Sequence, residues 1–128
     1  MSYYFATKVG LPFDDAVQRT IEALKREGFG IISDIDVSAT FKKKIDVDFR
    51  PYRILCACNP SLAHQALQVE DKAGTMLPCN VIVQDLRDGV VEIAAIDPVA
   101  SMEAIPNQKL RATAAVVRER LQRVVASL

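Results

Sequence analysis

The sequence predicts a two-layer α+β domain in which helices pack on a mixed sheet of about five strands. Short runs of β-branched and aromatic residues alternate with segments whose apolar residues recur at helical spacing. The dipeptide Asp88-Gly89 lies between the last two strand-like runs and is typical of a hairpin, so that pair is expected to be antiparallel. The chain has 128 residues and no linker-like stretch, which favours a single domain over residues 1–128.

The first half of the chain is predicted to form strand, helix, strand and helix. Residues 3–9 are strand-like, and Pro12 opens a helix that ends near Gly28, a residue suited to a left-handed cap. Residues 29–35 contain three isoleucines and predict the second strand. Asp36 follows as a candidate N-cap for the second helix.

The second half is predicted to form a strand, a short helix, a hairpin and a long helix. Residues 52–58 alternate with the period of a strand, and Asn59 is a candidate N-cap for the third helix. The two strands of the hairpin are predicted at 76–86 and 90–96. The last helix is predicted from about Gln108 onward, because its apolar residues recur every three or four positions. The complete predicted order is βαβαβαββα.

Composition and charge argue against several classes of partner. Sixteen basic residues balance sixteen acidic ones, so bulk binding to nucleic acid or to an anionic membrane is not expected. The absence of tryptophan and the low aromatic content argue against a surface that stacks bases. No apolar run is long enough to span a bilayer, and the N-terminal residues lack a signal-peptide pattern. A cytoplasmic location is therefore expected. No cofactor is expected either.

The side chains best suited to reactive or metal-binding roles lie within residues 54–83. This stretch contains all three cysteines and the single histidine of the chain. Cys58 immediately precedes the N-terminus of the predicted third helix, where backbone N–H groups and the helix dipole stabilise a thiolate. Cys79 begins a predicted strand that could lie beside the third strand. The stretch is therefore the candidate functional site.

The leading hypothesis is a non-enzymatic module that binds or senses an anion or another small ligand. The start of the third helix offers backbone N–H groups, which suit an anion without any thiol chemistry. The candidate ligand-binding residues are Cys58, Asn59, Ser61, Cys79 and Asn80. The sequence contains no phosphate-binding loop, serine-nucleophile motif or paired carboxylates, and it leaves open whether the protein is an enzyme.

The alternative hypothesis is a thiol redox protein or a metal-binding protein. Cys58 and Cys79 would form a reversible disulfide if their strands bring the two Cα atoms close enough. His64 would add an imidazole to the two thiolates as a third metal ligand. The spacing of these three residues matches no zinc finger or zinc ribbon pattern. Both forms of the alternative depend on how the strands pair.

Four segments carry a resemblance to a known family. They are Ile54-Leu55-Cys56-Ala57-Cys58-Asn59-Pro60, Leu62-Ala63-His64-Gln65-Ala66-Leu67, Leu77-Pro78-Cys79-Asn80-Val81-Ile82-Val83 and Ile96-Asp97-Pro98. Through these segments the chain resembles the family known as domain of unknown function 302, of the TT1751-like fold. Family members commonly have glycine at the position of Cys56, so Cys58 and Cys79 are the thiols that match the pattern. The resemblance implies a compact α+β fold and a homodimer, and it implies no activity.

A homodimer is also expected from the predicted sheet itself. A five-stranded open sheet has two edges, and natural proteins cover or blunt such edges. A net charge of zero offers little electrostatic opposition to self-association. We therefore expect a symmetric pair that meets through a sheet edge or a helix face.

Overall fold

The computed structural model describes residues 2–128, and within them the chain forms five strands, five α-helices and one 3-10 helix. The strands are β1 (Tyr4–Val9), β2 (Gly30–Asp36), β3 (Tyr52–Cys58), β4 (Cys79–Asp85) and β5 (Val91–Ile96). The α-helices are α1 (Phe13–Arg26), α2 (Val37–Ile45), α3 (Pro60–Val69), α4 (Pro98–Ser101) and α5 (Gln108–Ala126). The 3-10 helix covers Asp71–Met76, and neither it nor α4 is predicted by the sequence.

The five strands form one sheet in the order β1-β5-β4-β3-β2. The predicted α+β class is confirmed, but all neighbouring strands are antiparallel where a mixed sheet was expected. The reason lies in the connections. β4 begins where β3 ends, with Cys79 paired to Ala57, and β3 begins where β2 ends, with Arg53 paired to Asp36. The connections through α2 and α3 therefore return the chain to the end of the sheet that it left, which reverses the strand direction. Helix α1 instead crosses the sheet, because β1 and β2 lie at opposite edges and run in the same direction.

The local signals for helix ends act as predicted. Asp36 Oδ1 accepts a hydrogen bond from the Ala39 N–H at 2.9 Å, and Asn59 Oδ1 accepts one from the Leu62 N–H at 3.2 Å. Each bond satisfies a backbone donor that the first turn of a helix leaves without a partner. Gly28 follows α1 with φ of 87°, a left-handed conformation that glycine adopts without a steric penalty.

The main core lies on one face of the sheet, beneath α1 and α5. Leu55, Val81 and Ala95 lie side by side on three adjacent strands and are completely buried. Leu24 of α1 and Leu121 of α5 cover them and are also completely buried. Because side chains alternate along a strand, their neighbours in sequence point to the opposite face, on which neither α1 nor α5 packs.

A second, smaller cluster lies where the N-terminal half of α5 packs against α3 and α4. Its buried members come from α3, the 3-10 helix, the residues after α4, and α5. They are Ala66, Ala73, Met102, Leu110 and Ala114. The candidate site lies between this smaller cluster and the adjoining end of β3 and β4.

Candidate ligand-binding cavity

A partly open cavity of about 240 Å³ lies between α3, α5 and the junction of β3 with β4. Its wall is almost entirely apolar, with Leu62 from α3, Leu110 from α5 and Phe29 from the turn before β2 among the larger side chains. Ile32 and Leu67 also line it, and their exposures of 65% and 43% place them at its opening to solvent. The cavity is therefore apolar and reachable from solvent.

Small residues account for the space. The helices α3 and α5 contribute Ala63, Ala66 and Ala114 to the wall, and the 3-10 helix contributes Gly74. Protein interiors normally leave few voids larger than a water molecule, because large side chains interdigitate. Here methyl groups and a glycine stand where longer side chains would close the gap, so the cavity follows from side-chain size.

Strand pairing brings Cys58 and Cys79 to the same cavity wall. Cys79 is paired with Ala57, so Cys58 lies one residue beyond the pair, and both thiols are free. Burial raises the pKa of the Cys79 thiol to about 11, and the nearby Cys58 adds to the rise. Cys79 is therefore a neutral thiol at neutral pH, and it serves the wall as a small apolar side chain.

The cavity gathers three of the five candidate ligand-binding residues, namely Cys58, Asn59 and Cys79. The other two lie elsewhere. Ser61 is exposed on the first turn of α3, and Asn80 is exposed on the face of the sheet opposite the core. The alternation of side chains along β4 that turns Cys79 toward the core turns its neighbour Asn80 to the opposite face.

His64 lies outside the cavity on the exposed side of α3. Leu62 and Ala66 of the same helix are buried, and a residue midway between two inward-facing positions points outward. Within residues 2–128, no group of three His, Cys, Asp or Glu side chains is arranged to hold a metal ion. The expected ligand set of Cys58, Cys79 and His64 is therefore not assembled.

Asp97 anchors the part of the wall formed by α4, as the N-cap of that helix and through an ion pair that the sequence did not predict. Its carboxylate is almost completely buried, and Oδ1 accepts a hydrogen bond from the Val99 N–H at 3.0 Å. Its Oδ2 accepts a hydrogen bond from Arg118 Nε of α5 at 3.2 Å. This ion pair fixes α4 against α5 and so positions Pro98 and Met102, which line the cavity. The two charged residues are 21 positions apart, so no local pattern links them.

The comparisons with known proteins agree with this fold. Residues 5–128 match the family model described as Domain of unknown function DUF302. The chain is also similar to the crystal structure of an uncharacterized conserved DUF302 protein from Bacillus stearothermophilus, with a TM-score of 0.90 and 27% sequence identity. That match covers 98% of each chain. Comparison with curated proteins finds no match.

Within residues 2–128, no helix combines the length and the apolar character that crossing a bilayer requires.

Proposed function

The chain belongs to the DUF302 family, and from the chemistry of its cavity we propose that it is a binding module for a small, mainly apolar molecule. One observation carries this proposal, namely the apolar wall around about 240 Å³ of space. In another protein, an apolar cavity of about 150 Å³ stays dry and binds benzene. In a larger cavity of the same character, the free energy of binding is favourable when an apolar ligand replaces empty space or poorly bound water.

The wall also favours binding over catalysis. Among the described residues that line the cavity, the two cysteines are the only titratable side chains, and Cys79 holds its proton because burial raises its pKa. General acid–base chemistry needs a group that exchanges protons near neutral pH. A charged group placed deep in the cavity would lose its hydration without compensation, so the body of the ligand is neutral and apolar.

Titration with 1-octanol or toluene tests the proposal, with calorimetry and thermal unfolding as readouts. We expect saturable binding at one site and a melting temperature that rises with ligand concentration. Ala63→Leu should weaken binding by roughly tenfold or more, because its side chain occupies the space. Ala115→Leu is the matched control, since Ala115 is an exposed residue of α5 outside the cavity.

Two outcomes contradict the proposal. One is that neither 1-octanol nor toluene shows saturable binding to the wild type. The other is wild-type affinity in the Ala63→Leu variant, which would show that the probes bind elsewhere on the protein.

A thiol redox role is the second candidate, and the shared wall position of Cys58 and Cys79 is the observation in its favour. The raised pKa of Cys79 opposes it, because the thiolate is the reactive species in disulfide exchange. Mass spectrometry after mild oxidation and timed alkylation at pH 8 separates the two roles. A Cys58–Cys79 disulfide, or Cys79 alkylation as fast as in denaturant, would support redox chemistry over simple ligand binding.

We also propose that two copies associate through the face of the sheet opposite α1 and α5, here called the open face, rather than through an edge. A row of paired apolar residues crosses all five strands on this face. Its members are Ile35, Ile54, Ile82, Ala94 and Ala6. The solvent-facing side of an antiparallel sheet is normally polar, so an apolar row favours a covering partner.

The size and charge of this face suit a second copy of the chain. Strands of six or seven residues at about 3.4 Å per residue, set about 4.8 Å apart, give a face of roughly 500 Å². Two such faces bury about 1,000 Å² in total, which reaches the lower bound for a stable interface. Lys8 and Glu92 are paired beside the apolar row, so the flanking charges balance.

A further inference from the structure

On α5, a cationic residue follows the apolar residues that line the cavity, on the same side of the helix. Leu110, Thr113, Ala114 and Val117 line the cavity at helical spacing. Arg120 is three residues beyond Val117, which places it on the same side of the helix. This side of the helix therefore runs from the apolar wall to a guanidinium at the end of the cavity where Phe29 and Asn59 lie.

Gly28 leaves room for two polar groups at this end. A Cβ added to Gly28 would lie 2.8 Å from Asn59 Nδ2 and 3.4 Å from Arg120 Nη1. The side-chain amide and the guanidinium therefore approach the same point. Asn59 lines the cavity, and Phe29, next to Gly28 in sequence, lines it as well. The two donors thus border the apolar space without entering it.

Neither donor is used by the rest of the protein that the structure describes. Asn59 employs Oδ1 to cap α3, which leaves its Nδ2 hydrogens unassigned. The two arginines of α5 on either side of Arg120 are paired: Arg118 with Asp97, and Arg123 with Glu27 and Glu119. Within residues 2–128, Arg120 forms no ion pair. A cation beside a cavity, with paired neighbours and no acceptor of its own, is a place for an anionic group.

We propose that the natural ligand is an amphipathic carboxylic acid, an inference that rests on the proposed function of the cavity. The alkyl or ring body of the acid occupies the apolar space. Its carboxylate stays at the border, where it accepts hydrogen bonds from Arg120 and from Asn59 Nδ2. The planar guanidinium of Arg120 presents parallel N–H donors that match a carboxylate. Asn59 is the N-cap of α3, so the positive end of the α3 dipole also lies at this border.

This arrangement satisfies two requirements on the ligand, an apolar body for the cavity wall and an acceptor for the two donors at the border. A carboxylate inside the cavity would lose hydration without a partner, whereas at the border it meets two donors and solvent. A purely apolar ligand would leave both donors without an acceptor. A small inorganic anion would leave the apolar space unfilled. An acid with a hydrophobic body fills the apolar space and also supplies an acceptor to the two donors at the border.

The test compares octanoate with 1-octanol, which have the same chain length and differ in the charged group. Calorimetric titration of the wild type should give octanoate roughly tenfold tighter binding, the lower end for hydrogen bonds to a charged group. Arg120→Met should remove this advantage and leave 1-octanol binding unchanged. Arg120→Lys should retain part of it, since the charge remains but the paired donors do not. Arg111→Met, an exposed α5 change, is the matched control.

The outcomes separate this inference from the proposed function. If octanoate and 1-octanol bind equally and Arg120→Met alters neither, the carboxylate assignment is overturned while the apolar site stands. If neither probe binds the wild type, the cavity is not a site and both proposals fall. If Arg111→Met abolishes the octanoate preference as fully as Arg120→Met, the effect is one of overall charge and the specific role of Arg120 is overturned.

Discussion

The two halves of helix α5 use one apolar stripe for different purposes. The C-terminal half buries Leu121 and Val124 against the sheet in the main core. The N-terminal half buries Leu110 and Ala114 in the smaller cluster, and these two residues also line the cavity. Leu121 and Leu110 are 0% and 1% exposed. Burial alone therefore does not distinguish a residue that holds the fold together from one that shapes a binding site.

The neighbours of the helix make the difference. The C-terminal half meets large side chains such as Leu55 and Val81, which fill the space between helix and sheet. The N-terminal half shares the cavity wall with Ala63 and Ala66 of α3, whose methyl groups do not fill the gap. Close packing stabilises the first region, and incomplete packing leaves the second open to a ligand.

The sharpest test of this comparison is a pair of leucine truncations. Leu121→Ala should lower the free energy of unfolding by about 4 kcal/mol, because it creates a new cavity in a filled core. Leu110→Ala should cost about 2.5 kcal/mol, near the low end of such changes, because Leu110 already lacks neighbours on its cavity side. Urea unfolding of both variants measures the difference. Equal costs would show that the two regions are packed alike.

The anchor of the cavity wall predicts the next largest effect. Asp97→Ala removes the cap of α4 and the ion pair with Arg118, and should lower the free energy of unfolding by about 2 kcal/mol. It should also weaken 1-octanol binding, because Pro98 and Met102 lose their support. The control is Asp71→Ala, whose exposed pairing with Lys72 contributes little. A cost no larger than that of the control would contradict the anchoring role.

The open face of the sheet extends the comparison to a third apolar surface. Light scattering at micromolar concentration should give twice the chain mass of 14.1 kDa. Ile82→Arg should weaken association by roughly tenfold or more, because it buries a charge in the interface. Val116→Arg, an exposed change on α5, should leave the dimer intact.

The association should not depend on the thiols, so reducing agent and Cys58→Ser should leave the mass unchanged. A mass of 14.1 kDa for the wild type would remove the proposal.

Cys79 belongs to both the main core and the cavity wall, and it predicts the smallest effect. Burial raises its pKa to about 11 from the ordinary 9.0, so the folded chain holds this proton more tightly than the unfolded chain. The free energy of unfolding should therefore fall as pH rises from about 9 towards about 11. At pH 10 the loss should be about 1 kcal/mol.

Other groups also titrate at high pH, so the comparison is between the pH profiles of wild type and Cys79→Ala. The variant should lack this part of the decline in urea unfolding at pH 8 and pH 10. Parallel profiles would show that Cys79 is hydrated rather than buried.

Much of the fold is encoded in short stretches of sequence. Asp36 and Asn59 mark helix starts because a capping side chain reaches backbone donors only two or three residues away. The apolar period of α5 and the turn at Asp88-Gly89 are also local, and the β4–β5 hairpin forms as predicted. Such signals act over a few residues, so a single sequence reveals them.

The cavity was decided by tertiary structure. Cys58 and Cys79 were expected to be functional, but their shared wall depends on the pairing of Ala57 with Cys79 across an antiparallel sheet. The same pairing turns Asn80 to the opposite face. Arg120 is a candidate for binding a carboxylate only because the fold places it beside Gly28 and Asn59. Helix periodicity identifies which residues of α5 face inward, but the size of the side chains opposite them decides whether that face meets a core or a space.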